Sequence, residues 1–188
     1  VSIVEDVMYI AAGKNSAYAV TYKKNADGSE ESKLYAWGDN TFGQLGGGTT
    51  AAKSVIPVAV TGPNGKVMTN VKSVSVTDNS VLVLTNDGFV YGFGEKKTPE
   101  SFISACDKFI ITENLQTKEV TIKQTKSEEK DLKNILIKAI NAVSDEDGWA
   151  RLSNVGIYIN KNIPSFDPRT YGFEKYGKLI KSLPYIDI

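Results

Sequence analysis

Two patterns of hydrophobic and polar residues divide the chain. Up to Gly94, short apolar or alternating runs are separated by Gly, Asn and Asp; the runs are VMYIAA, SAYAVTY, KLYAWG, SVIPVAV, VKSVSV, SVLVLT and FVYGFG. Such runs are typical of short antiparallel strands joined by tight turns. From Asp131 onward the apolar residues recur with the period of about 3.6 that marks a helix. The pattern predicts a β-rich first part and a helical second part.

The second part predicts three helices followed by a strand. The first helix carries an apolar stripe made of Leu132, Ile135, Leu136, Ala139, Ile140 and Val143. The second, ARLSNVGIYINKN, places Leu152, Val155 and Ile159 on one face. After the bend IPSFDPRTYG, the run FEKYGKLIKSLP predicts a third helix, and YIDI predicts the start of a strand. This order is the outline of a winged helix-turn-helix. Between the two parts, residues 113–130 are polar and contain no Gly, which indicates a linker with at most one edge strand.

The first part contains an internal repeat. The stretch DVMYIAAGKNSAYAVT at Asp6 aligns with NVKSVSVTDNSVLVLT at Asn70, an offset of 64 residues. The offset falls to 60 at the Asp27-Gly28 and Asp87-Gly88 turns, which indicates short insertions in polar loops of the first copy. Each copy therefore predicts a strand, a turn, a second strand, an Asp-Gly hairpin and a third strand.

The stretch AWGDNTFGQLG at residues 36–46, followed by the strand VIPVAV, resembles the repeat of the regulator of chromosome condensation family. The resemblance covers residues 6–94, about one and a half copies. It implies propeller-type β-repeats and a role in binding partner proteins, in the founding case a small GTPase and chromatin. Because one repeat cannot bury both faces of its sheet, we expect more repeats or a partner beside it. We expect Trp37, Phe42 and Leu45 to pack between repeats.

The segment GFGEKKTPESFISACDKF, residues 92–109, resembles the last strand, helix and strand of NYN domains, which are PIN-like metal-dependent ribonucleases. Thr98 is the predicted N-cap of the helix, with Pro99 at its first position. The chemistry implied by that family needs several Asp carboxylates around Mg²⁺, but the chain upstream of this segment is repeat sequence. Asp78 and Asp87 fall in repeat turns, and Asp107 is better explained as a strand-entry residue. We therefore expect no competent nuclease.

Two further features of this segment have simple structural explanations. Lys96 and Lys97 could contact a phosphate, although two adjacent lysines in a loop are usually solvated. Cys106 follows the predicted helix beside Phe102 and Phe109, which favours a buried structural thiol.

The C-terminal stretches DEDGWARLSNVGIYI, PSFDPRTYGF and KLIKSLP resemble the OST-HTH or LOTUS domain from Asp131 to Ile188. The resemblance implies RNA binding, in some members of G-rich structured RNA, and in others docking onto a DEAD-box helicase. It also agrees with the preceding segment, since bacterial LOTUS domains commonly follow an NYN domain through a polar linker. The chain reaches only YIDI, so we expect most of the wing to be short or missing.

The amino-acid composition excludes several kinds of catalytic and metal site. The 188 residues contain no His and one Cys, which excludes imidazole catalysis, zinc sites with a His ligand and an internal disulfide. We expect no metal and no cofactor. The N-terminus lacks a basic signal region, and no run reaches the roughly 18 apolar residues of a membrane helix, so we expect a soluble cytoplasmic protein without membrane contact. The start at Val1 suggests a piece of something longer.

Charge is balanced overall, with 22 basic and 22 acidic residues, but residues 151–188 carry six basic against three acidic side chains. Lys175, Lys178 and Lys181 recur at every third position of the predicted third helix, away from its apolar side, where they would neutralise phosphates. Trp149 could stack on a base or cap the small core, and Tyr171 has the same two explanations. The predicted RNA-binding residues are Trp149, Arg151, Lys161, Arg169, Lys175, Lys178 and Lys181.

The sequence therefore predicts an α+β multidomain chain. Its predicted parts are β-repeats (1–94), an NYN-like tail (95–112, with its shared strand beginning at residue 88), a linker (113–130) and a LOTUS winged helix (131–188). The predicted function is that of a non-enzymatic RNA-binding adaptor whose β-repeats contact a protein partner. A protein-interaction scaffold without RNA binding is the alternative, and a residual metal-dependent ribonuclease is the third, weaker one.

Overall fold

The structure is a computed structural model that describes residues 4–47, 49, 51–63, 65–115 and 126–186. It divides into two compact units, residues 1–117 and 118–188. No helix of the described ranges is long and apolar enough to cross a membrane.

The first unit contains two four-stranded sheets. In the first sheet, all neighbouring strands run antiparallel in the order β1-β2-β3-β4. In the second sheet the order is β5-β6-β7-β8, with β7 and β8 parallel. A short helix, α1, joins these two parallel strands. The elements are β1 (Val7–Ala12), β2 (Ser16–Lys24), β3 (Glu30–Asp39), β4 (Lys53–Ala59), β5 (Val71–Val76), β6 (Val81–Thr85), β7 (Val90–Gly94), α1 (Glu100–Ile103) and β8 (Lys108–Ile111), followed by a 3-10 turn at Thr112–Leu115.

The two sheets repeat the same local geometry at the offset found in the sequence. Asp6 and Asn70, which are 64 residues apart, are the two non-glycine residues of the described chain with positive φ, at 55° and 60°. The carbonyl oxygen of each accepts a hydrogen bond of 2.9 Å from a backbone N–H, that of Tyr22 in β2 for Asp6 and that of Asn86 just after β6 for Asn70. Asn and Asp tolerate this left-handed conformation better than most residues. The predicted repeat is thus also a repeat of backbone conformation.

A shared core lies between the sheets. Tyr18, Val20, Leu34 and Ala36 of the first sheet meet Val74, Val81, Val83, Phe93 and Ile110 of the second. Leu45 from the loop after β3 is fully buried in this core, as predicted. Gly46 lets the loop approach, since a β-carbon there would lie 2.7 Å from Val60 Cγ1.

Helix α1 covers the other face of the second sheet. Side chains alternate along a strand, so Leu82, Val90 and Phe109 point away from the first sheet. They pack with Phe102, Ile103 and Cys106 from α1 and the turn after it. The second sheet is therefore covered on both faces.

This arrangement explains why one strand fits two sequence patterns. Strand β7 is the third strand of the second repeat, and it is also the first strand of a β7-α1-β8 unit with parallel strands. Strand β8 takes the fourth place in the sheet, where β4 stands in the first copy. The N-cap of α1 is Pro99 and has no side-chain capping bond, so the predicted Thr98 cap is wrong.

The second unit is helical, as predicted. Its helices are α2 (Lys126–Val143), α3 (Leu152–Asn162) and α4 (Tyr176–Lys181), with a 3-10 turn at Pro168–Tyr171. Their core contains Leu132, Leu136, Ala139, Val155, Ile159, Phe166, Leu179 and Ile180. Helix α2 begins at Lys126, inside the range predicted as linker; residues 116–125 of that range, with the predicted edge strand, lie outside the described residues.

Three details of the helical unit differ from the predictions. Leu152 is 38% exposed because it starts α3 at the rim of the core. Helix α4 begins at Tyr176, since the backbone N–H of Phe173 closes the preceding turn on the Pro168 carbonyl and Lys175 is extended. At the start of the predicted strand YIDI, Tyr185 lies in a turn after Pro184, which cannot donate a ladder bond, and residues 187–188 lie outside the described residues. The wing of a winged helix is thus not part of the described structure.

In the first unit the sheets are open, and propeller closure is not seen.

Candidate nucleic-acid interface

The predicted lysine stripe lies at the last helix. Lys178 and Lys181 are in the last turn of α4, while Lys175 is its N-cap residue with extended backbone. All three side chains are exposed, and Leu179 and Ile180 between them are buried. The cations therefore lie on the solvent side of α4, because its apolar side is anchored in the core.

Two of the predicted cations have acidic partners. Lys178 Nζ lies 3.3 Å from Glu174 Oε2, and both side chains are mostly exposed. Arg169 Nη2 lies 2.6 Å from Oδ2 of Asp167, which is buried, and Arg169 Nε lies 3.0 Å from both oxygens. Asp167 also accepts from the Arg169 backbone N–H as the cap of the 3-10 turn. Arg169 thus serves a structural ion pair, whereas the Lys178 pair is open to water.

The other predicted residues flank α3. Trp149 precedes the helix and is 62% exposed; its backbone N–H donates to Asp145 Oδ1 at 2.8 Å. This turn depends on Gly148, whose φ is 82°. Arg151 is the exposed N-cap residue of α3, and Lys161 is exposed in its last turn.

One pocket brings Trp149 and the beginning of α4 together. It has a volume of about 540 Å³ and is lined by residues of α2, the turn before α3, α3, α4 and the segment after α4, including Trp149, Tyr176 and Tyr185. Periodicity assigned Tyr176 to the inside of the third helix, and nothing in it marked Tyr185. The other tyrosine weighed from the sequence, Tyr171, packs on Phe166 with ring centres 5.9 Å apart, so it belongs to the core.

In the first unit, the residues discussed as possible phosphate or metal contacts are engaged in local structural contacts. Lys97 Nζ lies 3.3 Å from Glu95 and 5.8 Å from the ring centre of Phe42. Phe42 is thus partly exposed beneath a lysine rather than packed between the repeats. Lys96 donates its backbone N–H to Glu113 Oε1 at 2.9 Å. Asp107 Oδ2 accepts from the Val90 backbone N–H at 2.8 Å, which is the strand-entry role expected for it.

Cys106 and the acidic side chains are the groups of the described residues on which thiol or metal chemistry would depend. Cys106 is buried, as expected, and burial raises the pKa of its thiol to about 11, which disfavours the reactive thiolate at neutral pH. Within the described ranges, no group of three acidic, Cys or His side chains is placed to hold a metal ion.

Comparison with known families identifies the helical unit. Residues 123–188 match the OST-HTH/LOTUS domain. This unit is a LOTUS domain. The match begins eight residues before the Asp131 boundary expected from the sequence, in agreement with the early start of α2 at Lys126. The LOTUS domain therefore carries the exposed cations, Trp149 and the 540 Å³ pocket.

The same comparison identifies the β-rich unit. Residues 31–84 match the regulator of chromosome condensation (RCC1) repeat. The human E3 ubiquitin-protein ligase HERC2 is 33% identical over 120 residues, which is 61% of this chain and 2% of HERC2. Prp20p from Saccharomyces cerevisiae, described with its binding to Gsp1p and histones, is 28% identical over 52% of this chain and 22% of its own, with a TM-score of 0.37. The chain thus spans a small part of both relatives.

Proposed function

We propose that the protein is a non-enzymatic RNA-binding adaptor. In this proposal its LOTUS domain holds the RNA backbone with the lysines of α4, and its RCC1-type repeats contact a protein partner. The observation that carries the proposal is the exposed row of Lys175, Lys178 and Lys181 on a LOTUS domain. We propose the cytoplasm as its location.

The exposure and weak pairing of these lysines support phosphate binding. An exposed ion pair such as Lys178–Glu174 contributes only about 0–1 kcal/mol, so a phosphate can replace the glutamate at little cost. Lys175 and Lys181 are exposed and lie on the same short segment. Arg169 is different, because its guanidinium makes three hydrogen bonds to the buried carboxylate of Asp167, and a phosphate would have to replace all of them. We assign Arg169 to positioning the turn before α4.

A protein-binding role for the repeats is supported by exposed apolar side chains on the first sheet. Ile10 of β1 is 71% exposed and Val55 of β4 is 84% exposed. Met8, Tyr9 and Ile56 are also exposed. These side chains lie on β1 and β4, the two edge strands of the sheet, where exposed apolar groups offer places for a partner to bind.

The RNA proposal is tested by titrating the full chain with a structured, G-rich RNA at several salt concentrations. Each phosphate neutralised releases counterions and adds about 0.7–0.9 to the slope of log affinity against log salt. The variant Lys175→Glu/Lys178→Glu should lower affinity and reduce the slope by about 1.4 or more. A matched control is Lys130→Glu/Lys138→Glu, which makes the same charge change on exposed positions of α2. Equal effects of the two variants would show that α4 is the wrong face.

The scaffold alternative is favoured by the exposed apolar side chains of the first sheet, and it predicts no RNA binding even at low salt. The residual ribonuclease predicts Mg²⁺- or Mn²⁺-dependent RNA cleavage that co-purifies with the chain through successive steps. Gel analysis of RNA incubated with the purified chain distinguishes the three functions. A scaffold leaves the RNA unbound and intact, an RNA-binding adaptor binds it and leaves it intact, and a ribonuclease cleaves it.

A further inference from the structure

The pocket of the LOTUS domain has the size and walls of a ligand site. Its volume of about 540 Å³ lies in the range of small-molecule pockets, roughly 300–1,000 Å³. Leu136 and Ile140 of α2 form an apolar wall, and Trp149, Tyr176 and Tyr185 contribute three aromatic side chains. Asp147 adds one carboxylate.

Two hydroxyl groups at this pocket are buried without a hydrogen-bond partner among the described residues, those of Tyr176 and Tyr185. Burial raises the pKa of Tyr176 to about 12, and burial together with the charge of Glu129 raises that of Tyr185. An unsatisfied buried hydroxyl is costly. A ligand with polar groups on its edge would remove that cost once a small side-chain shift brings the hydroxyls into contact with it, whereas a purely apolar side chain would leave both hydroxyls unpaired.

Trp149 presents a large flat surface at the same pocket. Its side chain is 62% exposed although the neighbouring backbone is held by two hydrogen bonds with Asp145. An aromatic ring held in this way is suited to stacking against another ring, since stacking needs a flat partner and a fixed orientation.

Charges of both signs lie beside the pocket: three carboxylates, those of Asp145, Glu146 and Asp147, precede Trp149, and two cations lie close by. Lys133 Nζ stands 5.0 Å from the ring centre of Tyr185, and Arg151 is exposed between the pocket residues Ala150 and Leu152. Both cations can reach a phosphate, while the Asp147 carboxylate can accept hydrogen bonds from N–H groups on a ring edge. Shape and hydrogen-bonding capacity thus match a flat polar ring, and the two cations offer contacts to an adjoining phosphate.

We propose that this pocket binds one unpaired nucleobase of a single-stranded RNA, stacked on Trp149 with its polar edge toward the tyrosine hydroxyls and Asp147. Lys133 and Arg151 contact the adjoining phosphates. The inference rests on the proposed RNA binding and adds a second contact to it, since the lysines of α4 bind only the backbone. Single-stranded RNA is recognised in this way when unstacked bases lie against aromatic side chains.

The test uses the full chain and two fluorescent RNA decamers of one length, an unstructured mixed sequence and a version in which every base is removed. Trp149→Ala should weaken binding of the intact decamer by about tenfold, because one base–aromatic stack is lost. Binding of the abasic decamer should not change. Trp149→Phe should keep most of the affinity, and Tyr176→Phe should weaken only the intact decamer. The control Ile157→Ala removes an equally exposed apolar side chain from α3 and should change neither.

Two results would overturn the inference, one by refuting the pocket alone and the other by refuting RNA binding as a whole. If both decamers bind the native protein equally and Trp149→Ala has no effect, the base pocket is refuted while RNA binding through the lysines stands. If neither decamer nor a structured RNA binds at low salt, RNA binding and the pocket both fail, and the scaffold alternative is favoured. Near-ultraviolet circular dichroism of each variant establishes that the fold is retained.

Discussion

The sulfur of Cys106 packs directly against the backbone of Gly92, so closely that a β-carbon built on this glycine would lie 2.5 Å from Sγ. The same β-carbon would lie 2.8 Å from Cδ2 of Phe109. Gly92 belongs to β7, and Cys106 follows α1. The close approach of α1 to the second sheet therefore depends on the absence of a side chain at residue 92.

Gly92→Ala should destabilise the first unit by about 1–3 kcal/mol, the usual cost of overpacking a core. Urea unfolding followed by a first-unit signal such as Trp37 fluorescence measures the change. Gly177→Ala is the matched control: nothing lies within 4 Å of an added β-carbon there, and α4 should tolerate or favour Ala. Gly92→Ala/Cys106→Ala should recover part of the lost stability. An unchanged midpoint for Gly92→Ala would contradict the packing described.

The Cys106 thiol should be unreactive in the native protein. Its pKa is raised to about 11 by burial, with the charge of Asp107 as a smaller cause, so almost no thiolate exists at pH 8. A disulfide reagent at pH 8 should modify native protein slowly and urea-unfolded protein rapidly, as followed by absorbance. Rapid stoichiometric labelling without denaturant would contradict the buried position.

Asn40 should be important for the first repeat. Its side-chain amide donates to the carbonyl oxygens of Thr49 and Ala51 at 3.1 and 2.9 Å, and its Oδ1 accepts from the Leu45 N–H at 3.0 Å. Asn40→Ala removes three hydrogen bonds of a buried side chain and leaves the buried Leu45 N–H unpaired, so we expect a loss of about 2–4 kcal/mol in urea unfolding. Asn25→Ala, at an exposed turn with one bond to Ser29, should cost less than about 1 kcal/mol. Similar losses for the two variants would contradict this role.

Stability should fall at high pH. Burial raises the pKa of Tyr176 from 10.0 to about 12, so the folded LOTUS domain holds this proton more tightly than the unfolded chain does. Its contribution is fully present below about pH 10 and is lost as pH rises from about 10 to 12. Thermal unfolding at pH 8 to 11.5 measures the effect.

In Tyr176→Phe the fall should be shallower, and the variant should be at least as stable at pH 8, because the unpaired hydroxyl is gone. Tyr158→Phe offers a comparison in the same unit, at a half-buried tyrosine of α3. An identical pH profile for Tyr176→Phe and the native chain would contradict the assignment.

Local patterns in the sequence predicted the strands and the repeat because these depend on neighbouring residues. The Asp-Gly pairs at Gly28 and Gly88 do form turns with positive φ, at 84° and 85°. The apolar stripe from Leu132 to Val143 forms the inner face of α2.

What the sequence did not reveal depends on contacts between distant residues. The parallel pairing of Tyr91 with Lys108 completes the second sheet, but no local pattern distinguishes it from a separate domain. Phe42 has the composition of a core residue, yet its neighbour is Lys97, 55 positions away. The pocket escaped prediction for the same reason, since it combines residues from α2 with Trp149 and Tyr185.

Helix α1 makes the outward faces of the two sheets different from each other. Since Phe102, Ile103 and Cys106 occupy the outward face of the second sheet, another sheet cannot stack there without displacing them. On the opposite face of the first sheet, strand pairing aligns Ile10 with Ala19 and Ala19 with Tyr35; Ala19 is buried there, whereas Ile10 on the edge strand is 71% exposed. An additional repeat therefore cannot stack face to face on the outward side of the second sheet, because a single turn of helix occupies it, and such stacking is left to the first sheet.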